Sequence, residues 1–270
     1  MKKVCLTLAL AGGFVIPTLT SAQFANSVYD YTAGSGVTAG YNDPTAAVGA
    51  PSTETVDPTP IYGGTFPVDP FDAPYLSDQI VGVGTGGILT LQFTTPIQNN
   101  PNHPYGLDFI IFGHAGFVED FSTGTAVDGS LYTGGISDVR VSVSTDGSTF
   151  YTLNPALAPQ VDGLFPTDGS GNPFLPVNPA LTAADFTGLD LAGIRALYNG
   201  SAGGAGFSLA WAEDSNGQSV SLSSVNYIRL TVLNDGSPAY IDAISVVPEP
   251  AIGALALAGA GVFLLRRLVR

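Results

Sequence analysis

The sequence predicts an all-β fold, an antiparallel β-sandwich with long loops. Two observations carry this prediction: short runs of alternating apolar and polar residues recur along the chain, and Asp-Gly turns separate several of them. A third is that the body between the two chain ends holds only one helical pattern. Short strands joined by tight turns, without a helix between each pair, are typical of a sandwich.

The first part of the body gives no regular pattern. Residues 24–40 are rich in Gly, Thr and Tyr and show little periodicity, and residues 41–75 contain seven prolines. Proline removes a backbone donor and fixes φ, so this density excludes a helix. We expect a long wrapping loop or scattered edge strands here.

The clearest strands follow. Residues 88–93 alternate, with Leu89, Leu91 and Phe93 on one face, as expected of a half-buried strand. Residues 108–113 read Asp-Phe-Ile-Ile-Phe-Gly, and a run that is apolar after its first residue indicates a central strand buried on both faces.

Residues 138–153 predict a β-hairpin. Val139, Val141 and Val143 share one face, and Asp146-Gly147 supplies the positive φ values of a tight turn. A long insertion follows at 155–206, with one weak helix predicted at 183–197 from the capping-box spacing of Thr182 and Asp185. Three further strands are predicted at 206–212, 225–233 and 239–246.

The two chain ends predict export. Lys2 and Lys3, an apolar stretch at 4–17 and small residues at 20–22 are typical of a secretory signal peptide at 1–22, cleaved between Ala22 and Gln23. The single cysteine, Cys5, lies inside this segment. The mature chain is therefore expected to lack disulfides and thiolate catalysis.

The other end, 247–270, has three parts in order. Pro248, Glu249 and Pro250 keep the backbone extended, so that a protease could grip it. The apolar run 251–265 would form a single transmembrane helix of roughly 22 Å, short against a hydrocarbon core of about 30 Å. The cytoplasmic charges would be those of Arg266, Arg267 and Arg270.

This order resembles the PEP-CTERM sorting signal of Gram-negative bacteria that make exopolysaccharide. The resemblance covers 247–270 and implies that Pro248, Glu249 and Pro250 are recognised by exosortase, a membrane-embedded cysteine protease. It further implies an inner-membrane intermediate, held by the C-terminal helix, followed by release or transfer to the cell surface or extracellular matrix. A plain tail anchor is the alternative.

The body, residues 23–246, is similar to galactose-binding-like jelly rolls of the discoidin type. The shared pieces are the hairpin at 139–153, the Tyr-Ile-Arg-Leu strand at 227–230 and the closing strand at 241–244. Residues 26–86 and 154–204 have no counterpart in that family. The resemblance implies a compact jelly roll, often with a structural calcium ion, that binds sugars or lipid headgroups at its loop end.

The charge of the body excludes one class of partner. Residues 23–247 contain three arginines, no lysine and 21 acidic residues, a formal net charge of −18. A field of this sign repels nucleic acid and anionic lipid and attracts cations. Solubility outside the cell is an equally good explanation of the same charge.

Calcium is the metal that these residues suit, because it prefers carboxylate and carbonyl oxygens. Asp242 is in phase with apolar residues of the last strand, and a buried carboxylate needs Arg229, backbone amides or an ion to satisfy it. Asp168, Ser170 and Asn172 also have the alternate spacing of a calcium loop. The other candidate calcium ligands are Asp108, which opens a buried strand, and Glu119 and Asp120 in the loop beyond it.

No motif of catalysis stands out. A G-x-S-x-G elbow is missing from the sequence, and His103 and His114 are too few to form a zinc site without carboxylates. Loop aromatics could form platforms for sugars or pin the loops to the sandwich. We therefore expect a non-catalytic carbohydrate-binding or structural protein of the envelope or exopolysaccharide matrix. The alternative is an extracellular polysaccharide-degrading enzyme that uses a carboxylate pair.

Overall fold

The computed structural model describes residues 24–56, 64–134, 138–233 and 237–249. The fold of these residues is all-β, and every named strand pair is antiparallel. The strands are β1 (Ser27–Thr32), β2 (Glu54–Val56), β3 (Thr65–Pro67), β4 (Val81–Val83), β5 (Ile88–Gln98), β6 (Phe109–Gly113), β7 (Gly116–Asp120), β8 (Thr125–Thr133), β9 (Val139–Ser144), β10 (Tyr151–Leu153), β11 (Ala205–Phe207), β12 (Ala212–Glu213), β13 (Ser224–Val232) and β14 (Ala239–Val246).

Two sheets form a sandwich-like body. The large sheet has six strands in the order β1-β5-β13-β9-β10-β12, and the small sheet has four in the order β11-β6-β14-β4. One apolar cluster joins Leu89 and Leu91 of the large sheet to Phe109 and Ile241 of the small sheet. The predicted sandwich architecture is confirmed at this level.

Most of the strand predictions are confirmed, and one is wrong. The strands predicted at 88–93, 225–233 and 239–246 are β5, β13 and β14. The strand predicted at 206–212 is instead β11, a 3-10 turn at Leu209–Trp211, and β12. Ser208 causes the break, because its hydroxyl accepts the Ala210 N–H and starts the turn.

The hairpin predicted at 138–153 is formed by β9 and β10. Tyr151 pairs with Val143 across it, and Gly147 in its turn has φ +75°. The positive φ predicted for Asp146 is wrong, because Gly147 is the one residue of the pair that adopts it. The Asp146 carboxylate accepts the N–H groups of Thr149 and Ser148, which lower its pKa. The Asp-Gly signal therefore marks a turn stabilised by its own side chain.

The helix predicted at 183–197 is two helices, α1 (Ala183–Phe186) and α2 (Leu191–Tyr198). Asp185 accepts the Thr182 N–H at 2.7 Å, as its capping-box spacing predicts. The chain turns at Gly188, where φ is +72°, and Asp190 then caps α2 through the Gly193 N–H. Gly188 therefore separates two short helices where one is predicted.

The insertion and two hairpins lie outside the two sheets of the sandwich. β7 pairs with β8, and β2 pairs with β3. Phe117 of β7, Phe186 of α1 and Ile194 of α2 form a second apolar cluster. On β6, Phe109 and Ile111 face the main core, whereas Ile110 and Phe112 pack against Ala202 of the insertion and against Ala243 and Val247. The prediction that this strand is buried on both faces is confirmed.

Several predictions concern residues that the structure does not describe. They are the signal peptide at 1–22 with its cleavage site after Ala22, Gln23, Pro250, the apolar run 251–265 and the C-terminal arginines. Among the residues that are described, none forms a helix both long and apolar enough to cross a membrane.

Candidate functional site

Asp108, a predicted calcium ligand, lies at the start of β6 with its side chain fully buried. Its Oδ1 accepts the Asn100 N–H at 3.0 Å and contacts His103 Nδ1 at 2.9 Å. Its Oδ2 accepts the Leu209 N–H at 2.7 Å. The carboxylate therefore holds the loop before β6 and the turn before β12 in place, through the bonds that a buried charge requires.

His103 points away from Asp108 toward the C-terminal segment. Its ring is buried, and Nε2 lies 3.4 Å from Oε1 of Glu249. Nε2 makes no hydrogen bond within the described part of the chain. One ring nitrogen is thus oriented by Asp108, and the other faces the glutamate of the Pro-Glu-Pro segment.

The C-terminal segment itself is fastened to this loop. Val247 is buried and donates its N–H to the Asp108 carbonyl at 2.9 Å. Asn100 Nδ2 donates to Oε2 of Glu249. We call Asn100, His103 and Asp108 the box cradle, because they contact both ends of the segment Val247-Pro248-Glu249.

Asp242, a second predicted calcium ligand, is buried on β14. A register shift between Ile241 and Ala243 changes the phase of the strand there. The carboxylate accepts the Ser52 N–H at 2.8 Å and the Ser52 hydroxyl at 2.9 Å. The sequence left Arg229, backbone amides and an ion as possible partners of this carboxylate. The structure shows a backbone amide, that of Ser52.

Arg229 is not the partner of Asp242. Its guanidinium lies over the Phe150 ring at 3.6 Å, and its Nε donates to Thr90 in the large sheet.

Burial raises the pKa of Asp242 to about 7, although the two bonds from Ser52 act in the opposite direction. The group therefore titrates near neutral pH.

Glu119 and Asp120, the remaining predicted calcium ligands, end β7 in the β7-β8 hairpin. Burial, followed by repulsion from Asp72, Asp69 and Asp120, raises the pKa of Glu119. The Ser122 hydroxyl and N–H lower the pKa of Asp120. Within the described ranges, no three His, Cys, Asp or Glu side chains are grouped to hold a metal ion, so the predicted ligands are not brought together.

Asp168, the first residue of the predicted calcium-loop pattern, is buried and forms an ion pair with Arg195. Arg195 of α2 donates to both carboxylate oxygens, at 2.7 and 3.0 Å. Burial alone would raise the pKa of Asp168, but the bonds from Arg195 and Ser170 outweigh it and hold the pKa below its ordinary value. The spacing predicts a metal loop, whereas in the structure the carboxylate forms an ion pair with Arg195.

The pair of His114 and Asp162 was not predicted from the sequence. His114 Nδ1 lies 2.5 Å from Asp162 Oδ2, and Asp162 Oδ1 accepts the Ala115 N–H at 2.8 Å. A cavity of about 10 Å³ beside Asp162 has room for roughly one water molecule. The two residues are 48 positions apart, so no local sequence signal could have identified the pair.

Four tyrosines, Tyr41, Tyr75, Tyr132 and Tyr240, lie in or near the loop at 69–76, and we call them the tyrosine face. The Tyr41 hydroxyl donates to the Tyr75 carbonyl at 2.7 Å. The centroid of the Tyr41 ring lies 6.3 Å from that of Tyr75 and 5.4 Å from that of Tyr240. Tyr132 reaches the same loop by donating to the Phe71 carbonyl at 3.0 Å. Tyr75 is 43% exposed and Tyr132 is 52% exposed.

The tyrosine face carries negative charge. Asp72 and Asp69 both act on the phenol of Tyr132, whose pKa is raised first by burial and then by these two carboxylates. The same two residues lie close enough to raise the pKa of Glu119. The ring of Tyr132 therefore lies beside carboxylates, a combination that can bind the apolar face and the hydroxyl groups of a sugar.

Comparison with known proteins adds no relative to this picture. No protein-family model matches the sequence, and no curated protein is detectably similar to it. The residues of the chain itself are therefore the basis for a functional proposal.

Proposed function

We propose that this chain is an exported, surface-sorted and non-catalytic protein of the bacterial envelope or exopolysaccharide matrix. The support for sorting is the order of Pro248, Glu249 and Pro250, the apolar run 251–265 and the terminal arginines. In this proposal, exosortase is the partner that processes the C-terminus, and the C-terminal helix holds the chain in the inner membrane beforehand.

The body would be a jelly roll of the discoidin type. Two of the three pieces that carry this resemblance are neighbours in the large sheet, where β13 pairs with β9. The third piece, β14, lies in the opposing sheet. A rigid sandwich of this kind presents its loops at fixed positions, which suits a binding protein.

The observation that carries the binding function is the tyrosine face. Exposed rings bind sugars through their apolar faces, and neighbouring carboxylates accept hydrogen bonds from sugar hydroxyls. We therefore infer that a neutral or cationic polysaccharide binds at Tyr75 and Tyr132. Calcium is the ion that we propose to strengthen this binding, because the acidic body attracts divalent cations.

The experiment is a pull-down of the secreted chain on exopolysaccharide from its own host, with calcium and with chelator. Tyr75→Ala removes an exposed ring while leaving the carbonyl that Tyr41 uses. We expect retention to fall by about tenfold, as for the loss of one stacking ring.

Tyr29→Ala is the matched control. Tyr29 lies on β1 of the large sheet, is 49% exposed and also contacts another tyrosine, Tyr227. Equal retention of both variants would contradict binding at the tyrosine face. New reducing ends in the supernatant would indicate the polysaccharide-cleaving alternative, and the search would then move to carboxylate pairs.

A further inference from the structure

The box cradle and the C-terminal segment form a contact that export and sorting do not require. The body carries a formal net charge of −18, so the carboxylate of Glu249 should be repelled from its surface. It nevertheless accepts a hydrogen bond from the Asn100 amide and lies 3.4 Å from His103 Nε2. Such docking indicates a specific local site for this carboxylate.

Contacts within the body hold the cradle in place. Asp108 fixes His103 through Nδ1 and fixes the Asn100 backbone through its N–H, and its own carboxylate is fully buried. His103 Nε2 is buried without a hydrogen bond and faces Glu249. A buried polar atom without a bond is costly, so its position is best explained by the glutamate that it faces.

We propose that the box cradle is a binding site in cis for Glu249, and that it keeps the segment Val247-Pro248-Glu249 against the body until a protease draws it away. This inference rests on the proposed sorting function, because it assigns regulation to the same segment. A protease that reads extended backbone needs the segment free on both sides, whereas Val247 is buried and bonded to the Asp108 carbonyl.

The contact is suited to reversible release. The Glu249 side chain remains 52% exposed, so water screens its interaction with His103. The segment is therefore held by a partly exposed contact at Glu249 and by one buried residue, Val247. Pulling on the chain beyond Pro250 would break the contact at Glu249 first.

Asn100→Asp tests the site with the smallest change of shape. The new carboxylate keeps the oxygen that accepts the Asn102 N–H, and it replaces the amide nitrogen that donates to Glu249 with a second charged oxygen. We expect hydrogen exchange of the Val247 amide to accelerate by about tenfold or more, measured on the full-length chain in detergent micelles. Exchange at Leu230, in β13, should remain unchanged.

Asn102→Asp is the matched control, because it adds the same charge two residues away on the exposed side of the same loop. It should leave Val247 exchange as in the wild type. Glu249→Ala changes only the tail, and it should accelerate exchange to a similar degree. The double variant with Asn100→Asp should show little further effect, since both changes break one contact.

Processing in the exporting host separates this proposal from the sorting proposal. We expect Asn100→Asp to be processed faster than the wild type and Asn102→Asp to be processed at the wild-type rate. Unchanged Val247 exchange in Asn100→Asp and Glu249→Ala would overturn the cradle, and so would slower processing of Asn100→Asp. If the wild type is never processed but exchange responds as expected, the sorting function fails while the cradle stands.

Discussion

The large and the small sheet bury different kinds of polar group. In the large sheet, the buried polar side chains are the hydroxyls of Thr90, Ser142 and Ser144. The small sheet and the segments beside it bury four carboxylates, and each carboxylate is paired with a different side chain. Their partners are His103 for Asp108, His114 for Asp162, Arg195 for Asp168 and Ser52 for Asp242.

This difference shows where the few cationic side chains of the body are used. The body has two histidines and three arginines, and both histidines and Arg195 pair with buried carboxylates beside the small sheet. Burying a charge is costly, and such groups are kept where they fix a loop or serve a site. The large sheet is therefore a scaffold, whereas the small sheet organises the loops, the tyrosine face and the C-terminal segment.

The largest expected effect is the pH dependence produced by Asp242. Because burial raises its pKa to about 7, folding favours the protonated form. Its contribution to the free energy of unfolding is present below about pH 4 and is lost as the pH rises to about 7, amounting to at most ~4 kcal/mol. Asp242→Asn should remove this term, since an amide can accept the Ser52 N–H and donate to the Ser52 hydroxyl.

Urea unfolding of both proteins across this pH range measures the effect. The variant should become more stable relative to the wild type as the pH rises, and the difference should level off above neutral pH. A stability difference that is constant with pH would show that Asp242 does not titrate in the folded state as described.

The second effect is the loss of the Asp168 ion pair. Arg195→Met leaves a buried carboxylate with only Ser170 as a side-chain partner. We expect a loss of about 3 kcal/mol in the free energy of unfolding, the low end for a broken buried pair, because Arg195 remains 39% exposed. Urea unfolding measures it.

Arg140→Met on β9 provides the comparison from the large sheet. Arg140 is exposed, so its replacement should change stability by no more than about 0.5 kcal/mol. Adding Asp168→Asn to Arg195→Met should restore part of the loss. Similar losses for the two arginine variants would remove the distinction between the sheets.

The smallest effect belongs to a hydroxyl of the large sheet. The Ser142 and Thr152 hydroxyls lie 3.2 Å apart across the β9-β10 hairpin. Ser142→Ala should cost about 1 kcal/mol, because one neutral hydrogen bond is lost and no charge is left without a partner. A thermal or urea unfolding curve that shows a cost as large as that of Arg195→Met would contradict this assignment.

Features set by neighbours in sequence could be predicted. The β9-β10 hairpin follows from alternating valines and Asp146-Gly147, and the capping contact of Asp185 follows from its spacing to Thr182. In both cases the partners lie within a few residues, so spacing alone places them together.

Features that depend on residues far apart in the sequence could not be predicted. Asn100 and Glu249 meet across 149 positions, and no periodicity in the sequence marks that contact. The partner of Asp242 was also beyond prediction, because the register shift in β14 changes which side chains face the core. The sequence could indicate that a carboxylate needed a partner, but not that the partner would be Ser52.

The most direct test of the proposed function is the mass of the chain recovered from the surface of its exporting host. The account predicts a protein that begins at Gln23 and has lost the apolar run 251–265 together with Arg266, Arg267 and Arg270. A surface protein that still carries Arg270 would contradict sorting by C-terminal processing and would favour a plain tail anchor.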